Sequence, residues 1–319
     1  MTKFERIILS ALPVNYLTEK SKKWILPGFQ GVPLFDVLSF FRRQIKTHGL
    51  TERASSVSFN FLMSIPPACL FLFTLIPNLP FVSKNTLKSQ IHVLLDSVTP
   101  SKAHDHTLRD FIYTLIDSAK AGYISFGLLL ALFFASNGIM GLMRSFDRDY
   151  IGFSKRTTLQ KRWTAIKLTS LLFSLFLICI ILMISQSSVL TWIGVKNDFI
   201  KELIVYGRWL PIFALLFYSF AFIYKYAPKT QKKWRLLSPG AIFATLCSIV
   251  FYWGFSSFVN SFDRYNILYG SLGTVIVLMI LVFLNSLAIL IGFELNVSIN
   301  SLKSIAEKRK KDEKPSTST

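Results

Sequence analysis

Residues 265–296 read YNILYGSLGTVIVLMILVFLNSLAILIGFELN. No charged side chain falls between Arg264 and Glu294, and a run of that length exceeds the roughly 20 apolar residues that cross a hydrocarbon core. The stretch predicts a membrane-spanning helix. Its ends are unusual: Tyr269-Gly270-Ser271-Leu272-Gly273 on one side and Gly292-Phe293-Glu294-Leu295-Asn296 on the other. Glycine permits close backbone approach, and a carboxylate at a helix end in lipid is costly unless it is paired or used.

The rest of the chain agrees with a membrane setting. Of 319 residues, 52% are hydrophobic and only 17% charged, against about 25% charged in soluble domains. The net charge of +19 would suggest nucleic acid in a soluble protein, but in a membrane protein the position of each Lys and Arg matters more than the sum. Cys69, Cys179 and Cys247 each sit in an apolar run without CxxC spacing, which reads as core thiols, not a metal site or a disulfide framework. The first long apolar run begins only near Val57, so an uncleaved N-terminus is expected.

Six spans are expected, giving an all-α polytopic membrane protein. Residues 1–56 form a cytoplasmic or interfacial N-terminal region in which Leu34, Val37, Leu38, Phe41 and Ile45 recur at helical spacing beside Arg42, Arg43 and Lys46. An amphipathic helix on anionic headgroups and a helix packed on the protein's own face both fit that pattern. Residues 57–300 form the transmembrane domain. Its first span, Val57 to Pro77, carries Pro66-Pro67 at mid-depth and is expected to kink or break there. Two apolar stripes within 80–120 are too short to cross and predict an outer helical hairpin; its His92, His104 and His106 read as solvated loop residues. The second span, Ala121 to Met143, ends in small residues suited to close helix contact. The third runs from Leu168 to Leu190, the fourth from Leu203 to Tyr224 and the fifth from Leu236 to Phe258. The Lys-rich tail, 301–319, is expected to be disordered.

Lys and Arg number nine before the first span, seven after the second, five after the fourth and six in the tail, against five, three and one in the alternate segments. Positive residues stay on the cytoplasmic side, so both termini are expected inside. The two ends of the sixth span then lie on opposite sides of the membrane and cannot form one site.

With this order of spans in hand, the chain resembles the YihY/BrkB family of bacterial inner-membrane proteins, once labelled ribonuclease BN. The resemblance is carried by Arg53-Ala54-Ser55, by Ser136, Gly138, Leu142 and Arg144, by Pro239-Gly240-Ala241, and by Tyr265, Asn266, Tyr269 to Gly273, Gly292 and Glu294-Leu295-Asn296. It departs from the family pattern at Asn60, Asp147 and Phe283, which bears on substrate preference more than on fold. The resemblance implies a multi-pass protein of the bacterial cytoplasmic membrane, with envelope-lipid transport and serum-resistance roles suggested for relatives.

RNA cleavage needs a metal-binding cluster or a positioned acid–base pair open to water, and the acidic residues here are scattered, so ribonuclease activity is not expected. A transporter or translocator of a lipid or other anionic substrate fits the polar residues near the spans. In that reading Arg53, Asn60, Asn137, Arg144, Asp147, Arg148, Glu294 and Asn296 are the candidate substrate-binding residues. Arg53, Arg144 and Arg148 hold an anionic headgroup while Glu294 pairs with one of them or carries a proton. A Glu294–Arg144 pair that binds nothing, and a scaffold or envelope-assembly role, are the alternatives. Membrane lipids, anionic ones included, are the expected partners; no cofactor, metal or nucleic acid is expected, and the oligomeric state stays open. Ser-Phe-Asp-Arg at 145–148 recurs at 261–264, which suggests inverted repeats of three helices.

Overall fold

The protein is described by a computed structural model over residues 19–47, 49–76, 113–114, 124–148, 150, 153–193, 209–230, 233–261 and 271–312. Most of the described residues are helical, in α1 (Leu34–Thr47), α2 (Leu50–Leu75), α3 (Ile124–Ala135), α4 (Asn137–Phe146), α5 (Thr158–Ile193), α6 (Trp209–Tyr226), α7 (Pro239–Ser261) and α8 (Ser271–Asp312). Among the described residues four stretches are long and apolar enough to cross a membrane, Leu50–Leu72, Phe126–Phe146, Thr158–Ile180 and Val275–Glu307, and Leu210–Tyr226 and Pro239–Phe255 are shorter apolar helices. This is a helical membrane protein. The hairpin expected over 80–120, its histidines and the second Ser-Phe-Asp-Arg copy from Phe262 onward fall outside the described residues.

Every backbone N–H and C=O in lipid must be paired within the protein, and this explains a departure in α2. Of the kink or break that the sequence leads one to expect at Pro66 and Pro67, the break does not occur, and the helix runs on through both prolines. A break would free further carbonyls beyond those that proline leaves without a donor, so continuing the helix is the cheaper state. A second adjustment divides the Phe126–Phe146 span at Ser136, which joins α3 to α4 with ψ near −7°. The ladder continues across it, Ser136 N–H to Leu132 O at 3.0 Å and Met140 N–H to Ser136 O at 2.9 Å. From α5, Arg162 fills the joint, donating to Ser136 Oγ at 3.1 Å and Asn137 Oδ1 at 2.8 Å, with its guanidinium over the Phe133 ring.

Packing is closest where side chains are smallest. A Cβ on Gly138 would lie 2.6 Å from Ser64 Oγ and 2.8 Å from the Phe61 ring, and one on Gly141 would overlap Asn60. Both glycines thus seat α4 on α2, the helix contact expected of this small-residue segment. Around the crossing, Val57, Leu142, Phe146, Tyr224, Leu290 and Phe293 are fully buried. The outer faces of the same helices expose Phe59, Met63, Leu129, Leu246 and Val250, the apolar surface that a bilayer covers.

The apolar face of α1 packs on α8, with Val37 buried against Phe29, Leu295 and Ile299. This is the packing expected of a helix seated on the protein's own face. Past the apolar span α8 continues to Asp312, so the tail is helical well beyond residue 301, where composition suggests disorder. A span already nucleates the helix, so extending it through Ala, Glu, Lys and Arg costs little, with Lys303 and Glu307 one turn apart. The three cysteines are free; Cys179 is buried and Cys247 partly so, but Cys69 is exposed on α2 and not part of the core.

Candidate functional site

Near the charged end of α8, Phe293, Glu294 and Asn296 point to three different neighbours, because each residue turns the helix by about 100°. Glu294 is fully buried and its Oε1 pairs with Arg53 Nη1, itself only 5% exposed. Tyr150 donates its hydroxyl to the same oxygen at 2.6 Å. Arg53 Nε donates to Ser145 Oγ at 3.2 Å and Nη2 to Ser145 O at 3.0 Å, so the guanidinium also serves the last turn of α4, whose carbonyls carry partial negative charge. Three segments distant in sequence are joined through one carboxylate. Its other oxygen, Oε2, is buried and has no hydrogen-bond partner among the described residues.

An aromatic cluster covers the pair. Phe293 stacks on Phe146 with centroids 3.8 Å apart, and Tyr150, Phe153 and Trp234 meet its ring at 5.7–6.2 Å. Burial, and then the Glu294 carboxylate, push the Tyr150 hydroxyl well above its ordinary value, so it stays a neutral donor. The loop that carries Tyr150 is held by its own clasp. Ser154 N–H donates to Lys229 O at 2.9 Å, and Arg156 reaches the Ala227 and Tyr226 carbonyls at the end of α6, the favourable place for a cation. Burial lowers the Arg156 pKa from its ordinary value, with the Asp147 charge opposing.

Asn296 faces α7. Its Oδ1 accepts from Gly240 N–H at 2.9 Å and its Nδ2 donates to Ser238 Oγ at 3.0 Å. Beside it Gly240 and Gly292 bring the two backbones together so closely that a Cβ on either would overlap the other's carbonyl oxygen.

Of the eight candidate residues, only Arg53 and Glu294 touch. Arg144 and Arg148 are exposed on either side of Ser145, so a Glu294–Arg144 pair does not form: α4 turns Arg144 outward while Arg53, near the start of α2, lies against α8. Asp147 pairs with Lys161, Asn137 with Arg162, and Asn60 donates to Ser56 O in its own helix at 2.7 Å. Ser145, Tyr150 and Arg162 are not among the site residues expected from the sequence. The only signal for Tyr150 is an aromatic hydroxyl set in a loop of alternating charge. Among the described residues no three His, Cys, Asp or Glu side chains gather as metal ligands would.

The sequence profile of the family described as Virulence factor BrkB matches residues 41–317. The chain belongs to the BrkB family. Within it the chain is similar to the Bacillus subtilis "Putative ribonuclease-like protein YfkH", 28% identical over 277 residues that make up 85% of this chain and 98% of the relative. It is also similar to a "UPF0761 membrane protein" of Alteromonas mediterranea, 25% identical over 83% of this chain and 88% of the relative. A third relative, "UPF0761 membrane protein Smlt0865" of Stenotrophomonas maltophilia, is 22% identical over 80% of this chain, which spans 58% of that longer protein. No solved structure matches the chain. The buried pair sits in stretches that carried the resemblance, Arg53-Ala54-Ser55 and Glu294-Leu295-Asn296.

Proposed function

We propose that this BrkB-family chain is a six-span carrier of the bacterial inner membrane, both termini cytoplasmic, that moves a lipid or another anionic envelope substrate. One observation carries the reading: the buried Arg53–Glu294 pair, one of whose carboxylate oxygens has no partner among the described residues. Taking two charges out of water costs several kcal/mol per ion, and well-packed apolar residues would hold three helices together at least as well. Ionisable residues kept inside a membrane domain mark substrate and ion pathways by default. In this mechanism Glu294 is the resting counter-ion of Arg53, and an anionic headgroup displaces it. Arg144 and Arg148, exposed beside Ser145, raise the local concentration of anions at that end. The two shorter apolar helices complete six spans, and the Lys and Arg distribution supports the orientation.

A non-transporting scaffold is the second reading, favoured by the saturation of Arg53, whose three nitrogens all donate to protein oxygens. The ribonuclease wording belongs to the Bacillus subtilis relative's name and is not carried over. Acid–base cleavage of RNA needs a carboxylate or imidazole open to water, and Glu294 is fully buried.

Proteoliposomes with a fluorescent anionic phospholipid separate the two readings. The carrier reading expects the label to cross faster than in protein-free liposomes, and Glu294→Gln or Arg53→Lys, each checked for an unchanged thermal midpoint, to slow it about tenfold or more, the factor that 1.4 kcal/mol represents. Wild-type protein that moves no label, or variants that move it as well as wild type, would end that reading.

A further inference from the structure

A cavity of about 810 Å³ opens beside the Asn296 joint, between the N-terminal segment, the start of α7 and α8. Its size falls in the range of small-molecule sites, and its chemistry is one-sided. Lys233, Arg235 and Lys303 line it together with the amides of Gln30 and Asn300, and no Asp or Glu is among the described residues that line it. Like charges converge on one space only at a cost, so this cavity favours an anion. The cations are held loosely. Lys233 and Arg235 are exposed, Lys233 stands 5.8 Å from the centroid of the Tyr226 ring, and the Lys303–Glu307 contact is 3.8 Å long and solvent-facing, a pairing worth little.

The wall is fixed although the cations are not. Gly28, at φ +92°, brings the N-terminal segment against Pro239 so closely that a Cβ there would lie 2.8 Å from the proline ring. The first amides of α7 are already engaged, Gly240 by Asn296 and Ala241 by Ser238, so α7 contributes the positive field of its N-terminus and not free donors. At the rim, Leu237 is 73% and Ile242 47% exposed. Exposed apolar groups beside a cation cluster on a membrane protein indicate an amphiphile, with a charged head in the cavity and apolar tail along the rim.

We infer that this cavity binds the phosphate of a phospholipid headgroup. Arg235 offers a planar fork to the phosphate oxygens, Lys233 and Lys303 add charge, and Leu237 and Ile242 meet the first acyl methylenes. The inference rests on the carrier reading only for the role of the bound lipid, since the site can hold its lipid whether or not that lipid is moved.

The test uses the full chain in neutral detergent, with bound lipid counted by native mass spectrometry. Phosphatidic acid is expected to bind at least tenfold more tightly than phosphatidylcholine, and Lys233→Gln with Arg235→Gln to remove that preference at an unchanged thermal midpoint. Lys225→Gln with Lys229→Gln removes the same charge from the same segment outside the cavity and is expected to preserve the preference. Equal loss in both double variants would overturn the inference, because the effect would be net charge alone. Inorganic phosphate at millimolar concentration that displaces the lipid and binds alone with the same dependence on Arg235 would overturn the lipid assignment in favour of a free-phosphate site. Wild-type protein that shows no preference for phosphatidic acid, with Glu294-dependent translocation intact, removes the cavity and leaves the carrier. Binding retained without any translocation removes the carrier and leaves the cavity.

Discussion

Two polar regions lie within ten residues of each other on α8, and they treat charge in opposite ways. At Glu294 the cation and the anion are buried together, and each Arg53 nitrogen donates to a protein oxygen. From Asn296 to Lys303 the cations stand around an open cavity with no carboxylate among the described residues that line it. Arg53 and Arg235 carry the same group, yet only the second can take a ligand without first giving up a partner. A charged residue in a membrane protein is therefore not by its presence a binding residue; burial and saturation decide whether it is a joint, a gate or a receptor.

The largest expected effect breaks the closed region. Arg53→Ala leaves Glu294 buried without a counter-ion and is expected to cost about 3–5 kcal/mol, read as a lower midpoint of reversible unfolding in mixed micelles. Arg53→Met with Glu294→Leu is expected to recover most of that loss, because the apolar pair carries no desolvation cost. A double variant as unstable as the single one would mean that the pair is kept for stability. Next, Gly292→Leu forces a side chain into the Gly240 carbonyl and the Tyr224 hydroxyl and is expected to cost about 1–3 kcal/mol; a midpoint unchanged from wild type would show that α7 and α8 do not cross so closely.

Asn296→Ala tests the boundary between the two regions. It leaves the buried Gly240 N–H without an acceptor, at about 1–3 kcal/mol, and is expected to loosen the cavity wall while leaving the Arg53 pair intact, as hydrogen exchange of α7 against α2 would report. The smallest effect is at Tyr150. Tyr150→Phe removes one hydrogen bond to Glu294, about 0.5–1.5 kcal/mol near neutral pH. Because the fold raises the hydroxyl above its ordinary 10.0, the contribution of the neutral phenol is complete below that pH and is lost as pH rises through the higher folded value. Wild type is thus expected to lose stability in alkali more steeply than Tyr150→Phe. Parallel alkaline curves would mean that the phenol is not buried against the carboxylate.

Much of the architecture was legible because lipid imposes a simple rule. Uncharged runs of sufficient length must become helices, and the small residues at Gly138, Gly141, Gly240 and Gly292 mark where helices cross. The site was half legible. Glu294 stood out because a carboxylate in an apolar run is expensive, and Arg53 was among three arginines near enough in the expected topology to answer it. Ser145 and Tyr150 were not legible, since a serine and a tyrosine in a charged loop look like solvated groups until the loop folds back over α8. At Pro66-Pro67 local propensity argues for a kink or a break, and the need to pair backbone groups in lipid removes the break.

By itself the sequence determined that the chain is a helical membrane protein, because hydrophobic length and charge placement are properties of the chain that the bilayer reads directly. Only the tertiary structure decided which arginine answers Glu294, that Asn296 clasps α7, and that Lys233, Arg235 and Lys303 surround one space. Those outcomes depend on helix rotation and on loops that bring residues nearly 100 and more than 240 positions apart into contact, and no local pattern encodes that geometry.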